Sequence, residues 1–297
     1  MMIRGLSNPI VRDPSELQLP TGERRRDKEV TRKAATISNV TLVIFSVLFL
    51  LPLLWLLLAS VDSNASWAIE FPHFTLGNYR DALANGGLQS LVNSLELALT
   101  ATLVSTVVAV FAAYGLVRHR IPWKGPLLLI VLFMSGIPIS ILVVPVYEVY
   151  QSLGWLSILP SAVFLGVTSL PFEMWLLKNY IEALPVDLEE AAKMERANTF
   201  QILWRIVLPL TFPGIGAAAI FGFVNAWGSF IVPLVLISST SQTTGPVTIF
   251  SFISASAFHY GDIAAFSLLY SIPVFVLYAL MSRFFTGGFV LRGGVKG

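Results

Sequence analysis

Apolar residues in this chain fall neither in strict alternation nor in stripes three or four apart, but in long blocks separated by short polar stretches. Six blocks stand out, at roughly 38–60, 90–117, 123–150, 156–177, 204–236 and 264–284, each close to or above the about 20 residues an α-helix needs to cross a bilayer. Barrel strands would show period-two alternation, which the blocks lack. Lipid offers backbone polar groups no partner, so the blocks predict helices and the chain an all-α integral membrane protein with six transmembrane helices. Pro138, Pro145, Pro160 and Pro171 interrupt the third and fourth blocks and predict kinks there.

Composition agrees: 55% of residues are hydrophobic, 12% are charged, and mean hydropathy is +0.76, too apolar for a single soluble core. The net charge of +2 conceals an uneven distribution. Eight of the 19 Lys and Arg residues precede residue 37, three lie in 118–124, four in 178–205 and three at the C-terminal end. Arg80 alone falls in the remaining loops, so an even number of spans with both termini cytoplasmic satisfies the positive-inside rule. The basic tail then lies beside anionic headgroups and requires no nucleic acid. Residues 1–36, with three prolines and mixed charge, read as a poorly ordered cytoplasmic tail, and 37–297 as the transmembrane domain. The polar lead before the first block is too long for an ordinary cleavable signal, so that block reads as an uncleaved anchor.

The absence of cysteine excludes disulfides and thiolate chemistry, and His73, His119 and His259 are too scattered for a histidine metal site. No G-x-x-x-x-G-K-[ST] loop occurs, so the chain is not expected to hydrolyse ATP or to bind a cofactor or metal. The spans carry no converging set of catalytic groups for an intramembrane enzyme. They do carry Glu96 and Glu173, which at about 2.5–3.5 kcal/mol each for a charge at a helix centre must face protein or water. With Asn225, Trp227 and Ser229 they are candidates for a polar substrate route; alternatively, they serve packing or the membrane interface.

The 178–205 loop is the charged interruption with most local structure. Pro185 closes the preceding segment, Asp187 can cap a helix from Leu188, and Glu190 three residues on fits a capping box. Glu189 and Lys193 form a favourable i,i+4 pair, while Leu188, Ala191, Ala192 and Glu195 share a face. Asn198-Thr199 interrupts the pattern before a second helix from about Phe200, with Phe200, Leu203, Trp204 and Val207 on an apolar stripe.

Within this loop Glu190-Ala191-Ala192, then Ala197, Ile206 and Leu208-Pro209 resemble the EAA loop of ABC importer permeases: EAA, three residues, Gly, nine residues, I-x-L-P. Arg196 occupies the glycine position, and the left-handed turn is expected to move to Asn198. Further segments resemble the carbohydrate, maltose-type branch: Thr75-Leu76-Gly77-Asn78-Tyr79, Asn93-Ser94-Leu95, Ala112 to Arg118 with its A-Y-x-x-x-R, Pro171-Phe172 before Trp175-Leu176-Leu177-Lys178, and the closing Gly293-Gly294-Val295-Lys296-Gly297. Trp227-Gly228-Ser229-Phe230 stands where the family has W-N-acid-F.

The resemblance implies a type I ABC importer permease fold in a bacterial or archaeal cell membrane. Glu190, Ala191, Ala192, Glu195, Arg196 and Ala197 would couple to an ATPase, on a scaffold of Asp187, Ile206, Leu208 and Pro209. It implies as partners a second related permease, two ATP-binding subunits carrying ATP and Mg, and an extracytoplasmic solute-binding protein. The implied cargo is a carbohydrate such as a disaccharide or alditol phosphate. Amino acids, peptides or inorganic anions are the alternative cargo. An ion-coupled carrier would leave the EAA loop without a role.

Overall fold

A computed structural model describes residues 21–68, 70–253 and 259–293. Residues 1–20, with Arg4, Arg12 and three prolines of the tail, and 294–297, the end of the G-x-V-K-G element, lie outside the described residues. Among the described residues all elements are helical apart from a single bridge between Asp62 and Phe74.

The first helix, α1, runs Thr21–Ser60 and contains the span Ser38–Ser60. It starts ahead of the boundary expected at residue 37 because, after Gly22, no glycine or proline occurs until Pro52. The described residues up to 55 form one unit, in which the side chains of Val40 to Leu54 are largely exposed, as lipid solvent allows.

The second unit, 56–297, holds the remaining elements in the order α2 (Gly77–Ala82), a π-turn (Leu83–Gly87), α3 (Leu88–Arg118), α4 (Lys124–Met134), α5 (Ile139–Leu153), α6 (Ile158–Glu182), α7 (Asp187–Met194) and α8 (Thr199–Ile202), a second π-turn (Leu203–Val207), then α9 (Leu208–Trp227), α10 (Ile231–Leu236), α11 (Gly245–Ser251) and α12 (Tyr260–Gly293). Among the described residues five helical segments are long and apolar enough to span a bilayer, and α4 with α5, bent by 86° between them, makes a sixth if the pair counts as one span.

That bend is sharper than a kink and falls at only one of the four prolines expected to interrupt spans. Ser135, Gly136 and Ile137 precede Pro138, whose ring disfavours helical backbone at Ile137 and which cannot donate an N–H. Pro145 and Pro171 lie inside continuous helices, and Pro160 sits in the first turn of α6, where a missing N–H costs nothing. The fifth block also divides: α9 stops at Trp227 and α10 resumes at Ile231.

Helices α3, α6 and α9 form the centre. Ser90, Ser94, Ala98, Ala101, Ser105, Ala109 and Ala113 make a buried stripe of small residues along α3, spaced three or four apart. Small side chains let backbones approach closely, the main source of helix adhesion where lipid competes with apolar contacts. The approach is close enough that a Cβ at Gly166 of α6 would lie 2.8 Å from the Ala101 carbonyl oxygen. One apolar cluster gathers Leu97, Ala101, Leu165, Phe223 and Trp227, and a second gathers Ala109, Tyr114, Leu177, Ile181, Val207 and Ala218. Ser105, Thr106, Glu173 and Gly222 lie between them along α3, α6 and α9.

At one end of α3 the loops are tied by side-chain amides. Asn93 Nδ2 donates to the carbonyls of Ser241 (2.9 Å) and Thr243 (2.8 Å), and Ser94 Oγ accepts from Gly245 N at 2.8 Å. The T-L-x-N-Y element satisfies the end of the first span. Asn78 Nδ2 donates to Asp62 O (2.9 Å) and Ser60 O (3.1 Å), with Ala59 O at 3.4 Å, and Tyr79 Oη donates to Ser60 Oγ at 2.9 Å. These carbonyls are orphans of a helix C-terminus. Asn78→Ala is therefore expected to lower stability by about 1–3 kcal/mol, the cost of stranding such acceptors, read as a reduced midpoint in thermal unfolding of the detergent-solubilised protein.

Candidate functional site

The 178–205 loop folds as expected in outline and differently in its caps. Helix α7 begins one residue early, with Val186 at the N-cap and no side-chain cap bond, so Asp187 and Glu190 do not form the expected capping box. Asp187, Glu189 and Glu190 crowd the first turn, where the helix dipole favours negative charge. The capping box forms at the next helix instead: Asn198 Oδ1 accepts from Gln201 N at 2.8 Å and Gln201 Oε1 from Asn198 N at 2.9 Å.

With Asn198 occupied in extended backbone, the left-handed turn does not move. Arg196 adopts it, at φ 61°. Around Arg196, Arg196 N donates to Lys193 O (2.9 Å) and Ala197 N to Ala192 O (3.0 Å), the paired bonds of a Schellman closure. Ala192 and Ala197, which this closure joins, are half-buried against the second apolar cluster.

The strongest contact of α7 was not legible as such. Glu189, read from sequence as the surface partner of Lys193, is 2% exposed. Its Oε1 accepts from Arg118 Nε at 2.6 Å and its Oε2 from Tyr114 Oη at 3.3 Å. Arg118 also donates to the carbonyls of Ile181 (3.1 Å) and Leu184 (3.4 Å) at the end of α6. One guanidinium thus meets the negative end of α6 and an acid in the first turn of α7, and removing either partner of a buried pair costs about 3–5 kcal/mol. The signal was present: Tyr114 and Arg118 stand four apart on α3, in the A-Y-x-x-x-R segment.

With Glu189 turned inward, Glu190, Ala191 and Glu195 are exposed, beside Val186, Leu188 and the 86% exposed Met194. The expected stripe of Phe200, Leu203, Trp204 and Val207 separates. Pro209 cannot donate to Arg205, and the turn widens to the π-form, with Leu208 N bonded to Leu203 O. Leu203 and Val207 are consequently buried with Ile202, while Phe200 and Trp204 stay exposed, their rings 5.7 Å apart. Ile206 and Leu208 are half-buried and Pro209 exposed.

The candidates within the spans do not converge. Glu173 is fully buried, accepting from Ser105 Oγ at 2.8 Å and Thr106 Oγ1 at 3.1 Å, and the Gly222 backbone approaches so closely that a Cβ there would lie 2.4 Å from Oε1. Trp227 is 4% exposed, with Nε1 donating to Tyr270 O at 3.1 Å and its ring stacked on Tyr270 and Phe223. Glu173 is packed wholly between helices, whereas Trp227 also borders an apolar recess with Leu91, Leu95 and Ile272. Glu96 is exposed on α3. Asn225 and Ser229 do meet, in a cleft of about 420 Å³ shared with Thr168 and Ser169 of α6 and walled by Ile139, Leu165, Phe230 and Ile231. It opens where Gly228-Ser229 interrupts the fifth span and contains hydroxyls and an amide but no charge.

Left-handed backbone at a non-glycine residue costs about 1–2 kcal/mol. Arg196→Gly is expected to relieve this strain and raise the thermal midpoint, and an unchanged or lower midpoint would show that the arginine side chain offsets the strain through contacts of its own.

The sequence profile described as binding-protein-dependent transport system inner membrane component matches residues 105–287. The sulfoquinovosyl glycerol transport system permease protein SmoH of Agrobacterium fabrum is 32% identical over 259 residues, covering 84% of this chain and 89% of the relative. The trehalose transport system permease protein SugB of Mycobacterium tuberculosis is 31% identical over 256 residues, covering 84% and 93%. A crystal structure of a bacterial ABC transporter involved in the import of the acidic polysaccharide alginate shares the fold, with a TM-score of 0.72 at 21% identity over 86% of this chain and 97% of that one. With five helices among the described residues long and apolar enough to cross a membrane, six if the bent pair counts as one span, and an EAA-type loop, the chain belongs to the family of binding-protein-dependent transport system inner membrane components.

Proposed function

We propose that this permease subunit carries a carbohydrate across the cell membrane, using ATP hydrolysed on separate subunits. The observation that carries the proposal is α7. Its inward side is fastened by Glu189, which leaves Glu190, Ala191 and Glu195 on an exposed face with Met194 and Leu188 beside them. Small residues let such a helix seat closely in a groove, and Glu190 supplies an acid for a basic partner group. Glu190, Ala191, Ala192, Glu195, Arg196 and Ala197 form the docking face, and Asp187, Ile206, Leu208 and Pro209 hold it. ATP and Mg belong to the docked subunits, and the permease itself has no catalytic role.

The α7 end of the bundle faces the cytoplasm. Loops 118–124 and 178–205 meet there through Arg118 and Glu189, and together they carry seven Lys and Arg residues. The opposite end, where Asn93, Ser94 and Asn78 tie the loops, receives an extracytoplasmic solute-binding protein. A second, related permease completes the pore, and Glu96, too costly to leave in lipid, lies on the side it covers.

Solute passes the cleft of Asn225, Ser229, Thr168 and Ser169. Uncharged donors and acceptors among apolar walls suit a neutral polyhydroxylated ligand and offer no counter-charge to an amino acid or inorganic anion. The name of SugB, a trehalose transport system permease protein, supports a neutral sugar, and that of SmoH, whose sulfoquinovosyl glycerol bears a sulfonate, supports carbohydrate more broadly.

The test is purification of the complex through this chain, identification of co-purifying subunits, and a survey of which solutes, delivered by the binding protein, stimulate ATP hydrolysis and radiolabelled uptake. Sugars or glycosides are expected; stimulation by amino acids, peptides or inorganic anions alone would overturn the cargo assignment. Glu190→Ala is expected to leave membrane insertion intact and lower uptake about tenfold, within the range of ordinary coupling energies between sites. Undiminished uptake removes Glu190 from the docking face.

A further inference from the structure

The polar contacts of α3 occur at three levels. Asn93 and Ser94 hold the 241–245 segment, Ser105 and Thr106 hold Glu173 of α6, and Tyr114 and Arg118 hold Glu189 of α7. Successive levels lie about 12 residues apart, or roughly 18 Å at the rise of an α-helix. Between them the buried residues of α3 are small or apolar, so among the described residues polar geometry fixes it axially at these levels. The innermost level is also the most constrained. Arg118 bonds α6 and α7 together, and Glu189 has both oxygens engaged at 2% exposure.

We infer that Arg118, Glu189 and Tyr114 are positioning residues for energy coupling: they weld α7 to α3 throughout the transport cycle, so that displacement delivered to α7 moves α3 as one body. This rests on the reading of α7 as the docking helix, and adds that the path into the membrane runs along α3 rather than through the covalent loops at either end of α7. Those loops are poor conductors of displacement. On one side Ala183 to Val186 are non-helical, and on the other Arg196 to Asn198 form the Schellman turn and extended link. A buried carboxylate held through one oxygen by Arg118 and through the other by Tyr114, both on one continuous helix, has no comparable slack.

The experiment uses the intact complex in proteoliposomes and reads solute transported per ATP hydrolysed, a ratio that a purely stabilising role would not change. Glu189→Gln keeps the shape and removes the charge, and is expected to lower the ratio about tenfold, the scale of a coupling free energy between two sites. A variant with reduced thermal stability but a normal ratio would assign the contact to folding alone and overturn the proposal. Because the chain has no cysteine, Arg118→Cys with Glu189→Cys introduces a unique thiol pair. The pair is expected to be uncoupled as thiols and to regain coupling when bridged by a bifunctional thiosulfonate. Bridging that arrests transport while ATP hydrolysis continues would mean the contact must open in the cycle, which also overturns the weld. If the unsubstituted chain captures no ATP-hydrolysing subunit, the docking reading falls and this inference with it; capture together with a normal Glu189→Gln ratio removes only the inference.

Discussion

Hydrocarbon cannot hydrogen-bond, and it attracts leucine as well as any protein core does. Helices immersed in it adhere through close backbone contact and polar groups satisfied within the bundle. In this permease both requirements converge on α3. Its stripe of alanines and serines admits α6 to within a Cβ of contact at Gly166, and its hydroxyls occupy the oxygens of Glu173, the one fully buried acid among the described residues. The carboxylate would be prohibitive in lipid and is tolerable here because Ser105 and Thr106 stand one turn from the narrowest approach. Packing and polar satisfaction are thus a single design, and the loops at both ends inherit their positions from it.

Much of this was legible in block length alone, because crossing a bilayer sets a minimum that few sequences meet by accident. The positions of the breaks were less so. Hydropathy does not distinguish Pro145 and Pro171, accommodated inside helices, from Pro138, where the preceding Ser-Gly-Ile lets the chain turn by 86°. Conversely, the first helix began earlier than the polar tail implied, since charge by itself does not break a helix.

In the 178–205 loop the spacing of Glu190, Ile206 and Pro209 identifies the segment but not its inward face. Periodicity shows which residues of an eight-residue helix lie together; it says nothing of the side on which the rest of the protein stands. Glu189 was therefore paired with Lys193, its neighbour in sequence, although Arg118 was its partner from 71 residues away. Arg196 shows the complementary case. The turn demanded by two backbone hydrogen bonds outweighed the preference of the residue occupying it, while Asn198, the more tolerant residue, was already engaged in capping the next helix.

The end of α9 carries a consequence for how such a protein can diversify. Tyr270 Oη donates to the Trp227 carbonyl, and the Trp227 indole donates to the Tyr270 carbonyl, so two helices close a reciprocal loop where one of them stops. An acceptor that termination would have left dry in the hydrocarbon is met by a side chain from elsewhere in the chain. Gly228 and Ser229 close the helix end with backbone bonds to Val224 O and Ala226 O, which ask nothing of the side chains there. Substitution can therefore redraw this short stretch of the cleft wall while the bonds between the two helices stay as they are.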